Sequence, residues 1–198
     1  MKVEYNSPVI LTYAIICTVV LVIDAIIGGN LMPFFTVPGS LDGYGAKSVF
    51  VLFSHVIGHG SAAHLMGNFT MILLIGPIVE EKYGSPLLLA MIGFTALLTG
   101  ALNVLLFSTG LLGASGIVFM LILLASITNV RNGRVPLTFI LVVVLFLGAE
   151  IAQLVQDDNV SQVTHIFGGL CGSLFGFAIQ RLRMAGPAEG RTPPTQLP

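Results

Sequence analysis

A serine and a histidine that lie in separate apolar segments could together carry out chemistry. Ser115 lies in the segment Gly113-Ala114-Ser115-Gly116, and His165 lies in a later apolar segment. A hydroxyl or an imidazole is costly to place in hydrocarbon unless it finds a hydrogen-bond partner. Serine becomes a good nucleophile when a neutral imidazole takes its proton. These residue types therefore predict a nucleophile and its general base.

A third apolar segment supplies the hydrogen-bond donors that such chemistry needs. Attack on an amide carbonyl creates an oxyanion, which preorganised donors must stabilise. His64 and Asn68 are four residues apart, so they share one helix face and both carry side-chain donors. The backbone N–H of Ser115 is a further donor if a helix begins there. Because no acidic residue is placed to orient His165, we predict a Ser-His dyad.

The composition predicts one integral membrane domain. Of the 198 residues, 55% are hydrophobic and 9% are charged, and the mean hydropathy is +0.97. Soluble domains carry about 25% charged residues. The net charge of −1 and the lack of a basic run exclude nucleic acid as an expected partner. Cys17 and Cys171 lie in apolar segments without CxxC spacing, so we interpret them as buried apolar residues, and we expect no cofactor or metal.

Most of six apolar segments are of a length that suits membrane-spanning helices, for which about 20 residues are needed, and the fourth is short. We predict spans at Pro8–Ile27, Gly60–Val79, Pro86–Phe107, Gly113–Thr128, Pro136–Val155 and Val163–Ile179. The membrane domain would cover residues 1–183, and the Pro- and Gly-rich residues 184–198 would form a disordered cytoplasmic tail.

Basic residues predict the orientation in the membrane. An even number of spans places both termini on one side, which collects seven of the eight Lys and Arg residues: Lys2, Lys82, Arg131, Arg134, Arg181, Arg183 and Arg191. Only Lys47 lies on the other side. We therefore expect both termini to be cytoplasmic. The minimal layout of six spans predicts a bacterial inner membrane protein.

Counting from the cytoplasmic ends predicts that the polar residues lie at one depth. Ser115 and His165 each lie 16 residues, or about 24 Å of helix, before an arginine at that side. The corresponding distances from Lys82 to Asn68 and His64 are 14 and 18 residues. The hydrocarbon is about 30 Å thick, so all four side chains should lie several Å below the outer surface.

Glycines and a long loop complete the predicted arrangement. Gly168, Gly172 and Gly176 recur every four residues, and such a face lets transmembrane helices approach closely, with the Ser115 helix as the expected partner. The connection 31–59 is unusually apolar for a loop. Either it lies partly embedded in the outer leaflet, or it packs on the helix bundle.

Near the cytoplasmic end of the second span, Glu80, Glu81 and Lys82 predict a helix end with local charge pairing.

Three motifs resemble those of the rhomboid intramembrane serine proteases, in particular the small bacterial six-helix members. They are residues 59–68 (HGSAAHLMGN), residues 113–116 (GASG) and residues 165–168 (HIFG), on spans two, four and six. The resemblance covers about residues 50–181 and implies an all-α, six-transmembrane-helix rhomboid-like bundle. The apolar connection 31–59 adds the expectation of a partly embedded first outer loop.

The resemblance also implies roles for individual residues. It implies that Ser115 is the nucleophile, that His165 is the general base, and that His64, Asn68 and the Ser115 amide line the oxyanion hole. His59 would be structural or water-binding. The substrates would be single-pass membrane proteins, cut in or near the transmembrane helix where small or helix-breaking residues let it unwind.

The sequence departs from the family pattern at two places. Phe119 stands where the family often has Tyr, and we expect its ring to keep packing on the histidine. Phe50-Val51 stands in place of the Trp-Arg pair common in the first loop.

Two alternatives to a protease stay open at this point. One is a catalytically inactive rhomboid-like protein that binds membrane helices. The other is a metal-binding membrane protein, because all four histidines lie toward the outer side, although neither carboxylate nor cysteine accompanies them.

Overall fold

The regular elements of the described residues are helices. The computed structural model describes residues 4–42, 45–127, 137–138, 140–145 and 159–185. In chain order the helices are α1 (Pro8–Ile26), a short 3-10 helix (Met32–Phe34), α2 (Lys47–Ser54), α3 (Ala62–Tyr83), α4 (Ser85–Leu106), α5 (Ser115–Ile127) and α6 (Asn159–Ala185). Residues 137–138 and 140–145 are also helical.

The predicted spans correspond closely to these helices. Within the described residues, α1, α3 and α4 are long and apolar enough to cross a membrane, whereas α5 and the Val163–Ile179 part of α6 are shorter apolar helices. The fifth predicted span, Pro136–Val155, lies mostly outside the described residues, and the part that is described is helical. The last helix ends at Ala185, two residues beyond the predicted domain boundary, and the rest of the predicted tail lies outside the described residues.

Local sequence signals explain where α3 begins and ends. Ser61 is its N-cap, and the Ser61 Oγ accepts the backbone N–H of His64 at 3.1 Å. Gly84 ends the helix with φ +83°, a conformation that side chains disfavour, and α4 starts at the next residue. Because of this turn, α3 and α4 are neighbours in the folded structure as well as in the sequence.

The core lies where α1, α3, α4 and α5 meet. Ile10, Ile72, Leu88 and Leu124 are fully buried there. The outward faces of the same helices carry large exposed apolar side chains, among them Ile15, Leu74, Phe94 and Leu105. So much exposed apolar surface would be unfavourable in water and suits contact with lipid.

Two buried acidic residues have structural roles. Glu80 is 3% exposed, and its carboxylate accepts the N–H groups of Val9 and Ile10 at the start of α1 and the hydroxyl of Ser85. The carboxylate of Glu80 thus caps a helix 70 residues away in the chain, a role beyond the expected local charge pairing. Asp24 accepts the N–H groups of Leu31 and Met32, which joins the end of α1 to the first loop.

The connection 31–59 packs on the helix bundle and also presents an apolar surface. Val37 and Val51 are fully buried, and Val37 forms an isolated antiparallel bridge with Leu111. Val49, Phe50 and Phe53 are exposed. The packing alternative is thus confirmed for one face of the loop, and the exposed face is where the predicted embedding in the outer leaflet would occur.

Candidate active site

The turn before α5 can be formed only by a residue without a side chain. Gly113 has φ +123°, and its N–H donates to the backbone oxygen of His55 at 2.9 Å. A Cβ built on Gly113 would lie 2.6 Å from Nε2 of His64 and 3.8 Å from Nδ2 of Asn68. The backbone just before Ser115 therefore lies directly against the two side chains of α3 that sequence analysis selected as oxyanion donors.

Ser115 is the first residue of α5 and is half-buried. The first hydrogen bond of the helix runs from the N–H of Val118 to the oxygen of Ala114, 2.9 Å away. The N–H groups of the first helical turn have no acceptor within their own helix, and they point out of the helix at its N-terminal end. The Ser115 amide is thus not used by the hydrogen bonds of its own helix, and it lies at the end of α5 that directly follows the Gly113 turn.

Glycines bring α6 into backbone contact with α5, the helix against which it packs most extensively. A Cβ added at Gly168 would overlap the backbone of Gly116, and one added at Gly172 would overlap the backbone of Met120. Gly176 faces the side chain of Ile127 in the same row. The predicted partnership between the glycine face and the Ser115 helix is confirmed.

The same contact places His165 beside the face of α5 that carries Ser115. The imidazole of His165 packs on the ring of Phe119, with centroids 4.4 Å apart and planes inclined by 41°. Phe119 follows Ser115 by four residues, so the two share one face of the helix. Gly168 follows His165 by three residues and touches Gly116, the residue after Ser115. The expected packing of the Phe119 ring on the histidine is confirmed.

A hydrogen-bonded chain supports the α3 side of the site. Asn68 is 9% exposed, and its Nδ2 lies 3.1 Å from Nε2 of His59. His59 is 1% exposed, and its Nδ1 lies 3.0 Å from the backbone oxygen of Ile57. The ring of His59 also packs edge-on against the ring of His64, with centroids 5.0 Å apart. Every polar side-chain atom of His59 is therefore engaged.

Burial keeps the two loop histidines neutral. Removal from solvent, opposed by the hydrogen bond to the Ile57 carbonyl and assisted by the nearby His64, lowers the pKa of His59 to about 4. Burial likewise lowers the pKa of His55 to about 4. At neutral pH each imidazole therefore has one N–H donor and one acceptor nitrogen.

Among the four residues selected from the sequence, His64 and Asn68 lie together against the Gly113 turn, and Ser115 and His165 lie on contacting helices. Sequence reasoning assigned His59 a structural or water-binding role and missed its bond to Asn68. It also missed the Ser61 cap, which the serine just before an apolar helix could have revealed. Within the described residues no three His, Cys, Asp or Glu side chains are grouped as a metal site requires, so the metal alternative has no observation in its favour.

A family model described as the Rhomboid domain matches residues 46–182. The chain belongs to the rhomboid family. The match covers more than half of the chain, includes every candidate site residue, and confirms the resemblance drawn from the three motifs. This family includes serine intramembrane proteases. Because the chain belongs to this family and has long apolar helices, it is a multi-pass membrane protein. A comparison with curated proteins finds no match.

Proposed function

We propose that this rhomboid is an intramembrane serine endopeptidase that cleaves single-pass membrane proteins in or near their transmembrane helices. Ser115 is the nucleophile and His165 is the general base of a dyad. The observation that carries the proposal is the position of the segment 113–116, which has the nitrogens of His64 and Asn68 on one side and the His165 helix on the other.

The proposed reaction follows the general course of acyl transfer to serine. The Ser115 hydroxyl oxygen bonds to the scissile carbonyl carbon while its proton passes to His165, and the carbonyl electrons move to the oxygen. The imidazolium then donates this proton to the amine as the C–N bond breaks. Water hydrolyses the acyl-enzyme by the same steps, with His165 again acting as the base.

Electrostatic stabilisation of the oxyanion comes from the α3 side of the site. His64, Asn68 and the Ser115 amide are fixed donors in a partly buried environment, where their interaction with a developing charge is stronger than in water. The half-buried side chain of Ser115 requires a route for water, which we place on the outer side of the membrane because the basic residues predict cytoplasmic termini.

Cleavage of a reporter in proteoliposomes tests the proposal. The reporter is a single-pass protein whose helix contains Gly or Ala near its outer end. Ser115→Ala and His165→Ala should each lower cleavage by about 10³-fold or more, because each removes a group that participates in bond formation. Cys17→Ala is the matched control. Cys17 is a buried residue of α1, which carries none of the proposed site residues, so this substitution should leave most of the cleavage intact.

A serine-directed covalent probe separates the protease from the inactive alternative. The wild-type chain should be labelled, and Ser115→Ala should not, at equal unfolding temperature. A folded wild-type chain that neither cleaves the reporter nor reacts with the probe would favour the inactive, helix-binding protein. Undiminished cleavage by Ser115→Ala would refute the proposed nucleophile.

A further inference from the structure

His59 is the residue that connects both oxyanion donors of α3. It contacts Asn68 through a hydrogen bond of 3.1 Å and His64 through edge-on ring packing at 5.0 Å. Its own position is set by the Ile57 carbonyl and by the ring of Phe69, 5.9 Å away. A side chain held on several sides in this way has little freedom to change rotamer, and it transmits that rigidity to its neighbours.

The hydrogen bonds determine the tautomer of His59. A backbone carbonyl can only accept, so Nδ1 of His59 must carry the proton that it shares with Ile57. Because the imidazole is neutral, its Nε2 is then an acceptor. The atom of Asn68 that faces Nε2 must consequently be the amide nitrogen, which donates one of its two protons to His59.

This orientation determines what Asn68 can offer to a reacting carbonyl. With the amide nitrogen directed at His59, its second N–H is not used by His59, and Nδ2 lies next to the Gly113 turn, where a Cβ of Gly113 would be 3.8 Å away. If the amide were rotated by half a turn, an oxygen would occupy this place and would repel a developing oxyanion.

We infer that His59 is a positioning residue that holds the Asn68 amide with an N–H facing the Gly113–Ser115 turn. The inference rests on the proposed function and deepens it, since it states how one oxyanion donor is kept in its productive orientation. His59 itself takes no part in bond formation.

A double-mutant cycle on cleavage measures whether His59 acts through Asn68. His59→Phe keeps an aromatic ring but removes the acceptor, and it should lower kcat by about 10-fold or more with little change in KM, within the roughly 10²–10³-fold cost of losing one oxyanion donor. His59→Gln offers an amide oxygen near the position of Nε2 and should recover part of this loss. In the Asn68→Ala background, His59→Phe should cost almost nothing more.

Glu80→Gln is the matched control for this cycle. Glu80 is also buried on α3 but lies 12 residues, or about 18 Å, from Asn68. Its effect should therefore add fully to that of Asn68→Ala. Additive effects of His59→Phe and Asn68→Ala, or full activity of a folded His59→Phe, would overturn the inference while leaving the protease intact. A wild-type chain without cleavage or probe labelling would instead reject the proposed function.

The tautomer of His59 can be determined by NMR, without an activity assay. In wild-type protein labelled with ¹⁵N-histidine, the His59 signals, assigned by their loss in His59→Gln, should show a protonated Nδ1 and an unprotonated Nε2 at neutral pH. Asn68→Ala should shift the Nε2 signal because its donor is gone. A protonated Nε2 would overturn the inference even if His59→Phe fails to fold.

Discussion

The two sides of the candidate site are built by opposite means. On the α6 side, side chains are absent: Gly168 and Gly172 let two helix backbones touch, and position is determined by close packing. On the α3 side, polar side chains are present, and a chain of hydrogen bonds from Ile57 through His59 to Asn68 determines their orientation. Gly113 lies on the α3 side, where its missing side chain leaves room for His64 and Asn68.

Because the two sides are built differently, substitutions on them should have different effects. A backbone contact tolerates no added atom, so its disruption should separate the helices and act on the whole fold. A hydrogen-bonded chain can lose one bond and still leave the helices in place, so its disruption should act on catalysis and on pH dependence more than on packing.

The glycine contact should give the largest effect. Gly168→Val should destabilise the protein by about 1–3 kcal/mol or more and abolish cleavage, because the new side chain would overlap the backbone of Gly116. Gly176→Ala should cost less, because it meets the movable side chain of Ile127. Unfolding temperature and cleavage measured on the same preparations check both.

Gly93→Ala is the control for this series. A Cβ at Gly93 in α4 has nothing within 4 Å, and Ala is favoured over Gly inside a helix by about 0.5–1 kcal/mol. It should therefore leave cleavage intact. A Gly168→Val chain as stable and active as Gly93→Ala would contradict the role assigned to the backbone contact.

The α3 side should have an intermediate effect, which is a contribution to folding stability that depends on pH. Burial lowers the pKa of His59 to about 4, below its ordinary value of 6.5, so the folded state favours the neutral imidazole. The resulting stability is fully present above about pH 6.5 and is lost as the pH falls toward 4, where the unfolded chain binds more protons. Denaturant titrations between pH 7 and pH 4 should show this decline.

His55 must be considered in the same experiment. Its pKa is lowered to about 4 as well, so His59→Gln should remove only part of the decline, and a second substitution at His55 should remove more. An acid decline as steep in His59→Gln as in the wild type would show that His59 is not buried in its neutral form. The glycine contact contains no titrating group and should contribute nothing to this decline.

Phe119 contributes ring packing, which is neither a backbone contact nor a hydrogen bond, and its substitution should have the smallest effect on cleavage. Its ring packs on His165 at 4.4 Å, and such aromatic contacts contribute about 0.5–1.5 kcal/mol beyond burial, so Phe119→Ala should lower kcat by about 2- to 10-fold. Phe119→Tyr keeps the ring and should stay close to wild type in the same reporter assay. A loss in Phe119→Tyr as large as in Phe119→Ala would show that packing of the ring is not what matters.

Sequence reasoning recovered the parts of the fold that depend on near neighbours. The helix bounds of α1, α3, α4 and α5 agree with the predicted spans to within a few residues, because hydrophobic segments and the breakers between them are local signals. The glycine face of α6 was likewise visible in a four-residue repeat, and its partner followed from the need to bring an imidazole to a hydroxyl.

The contacts that sequence reasoning missed join residues with no periodic relation. The carboxylate of Glu80 caps α1 from 70 residues away, although its charged neighbours suggested local pairing. His59 and Asn68 are nine residues apart, which is not a helical spacing, and the bond forms because the chain turns between Gly58 and Ser61 before α3 begins.

The membrane class, the helical segments, the family and the four residues proposed for chemistry can all be predicted from the amino-acid sequence alone. Each of these depends on residue types and short spacings, which exist before the chain folds. The folded structure is needed to see that Gly113 lies against His64 and Asn68, that Gly168 touches Gly116, and that His59 is hydrogen-bonded to Asn68. These contacts join separate parts of the chain, and packing selects among arrangements that local preferences leave equally available.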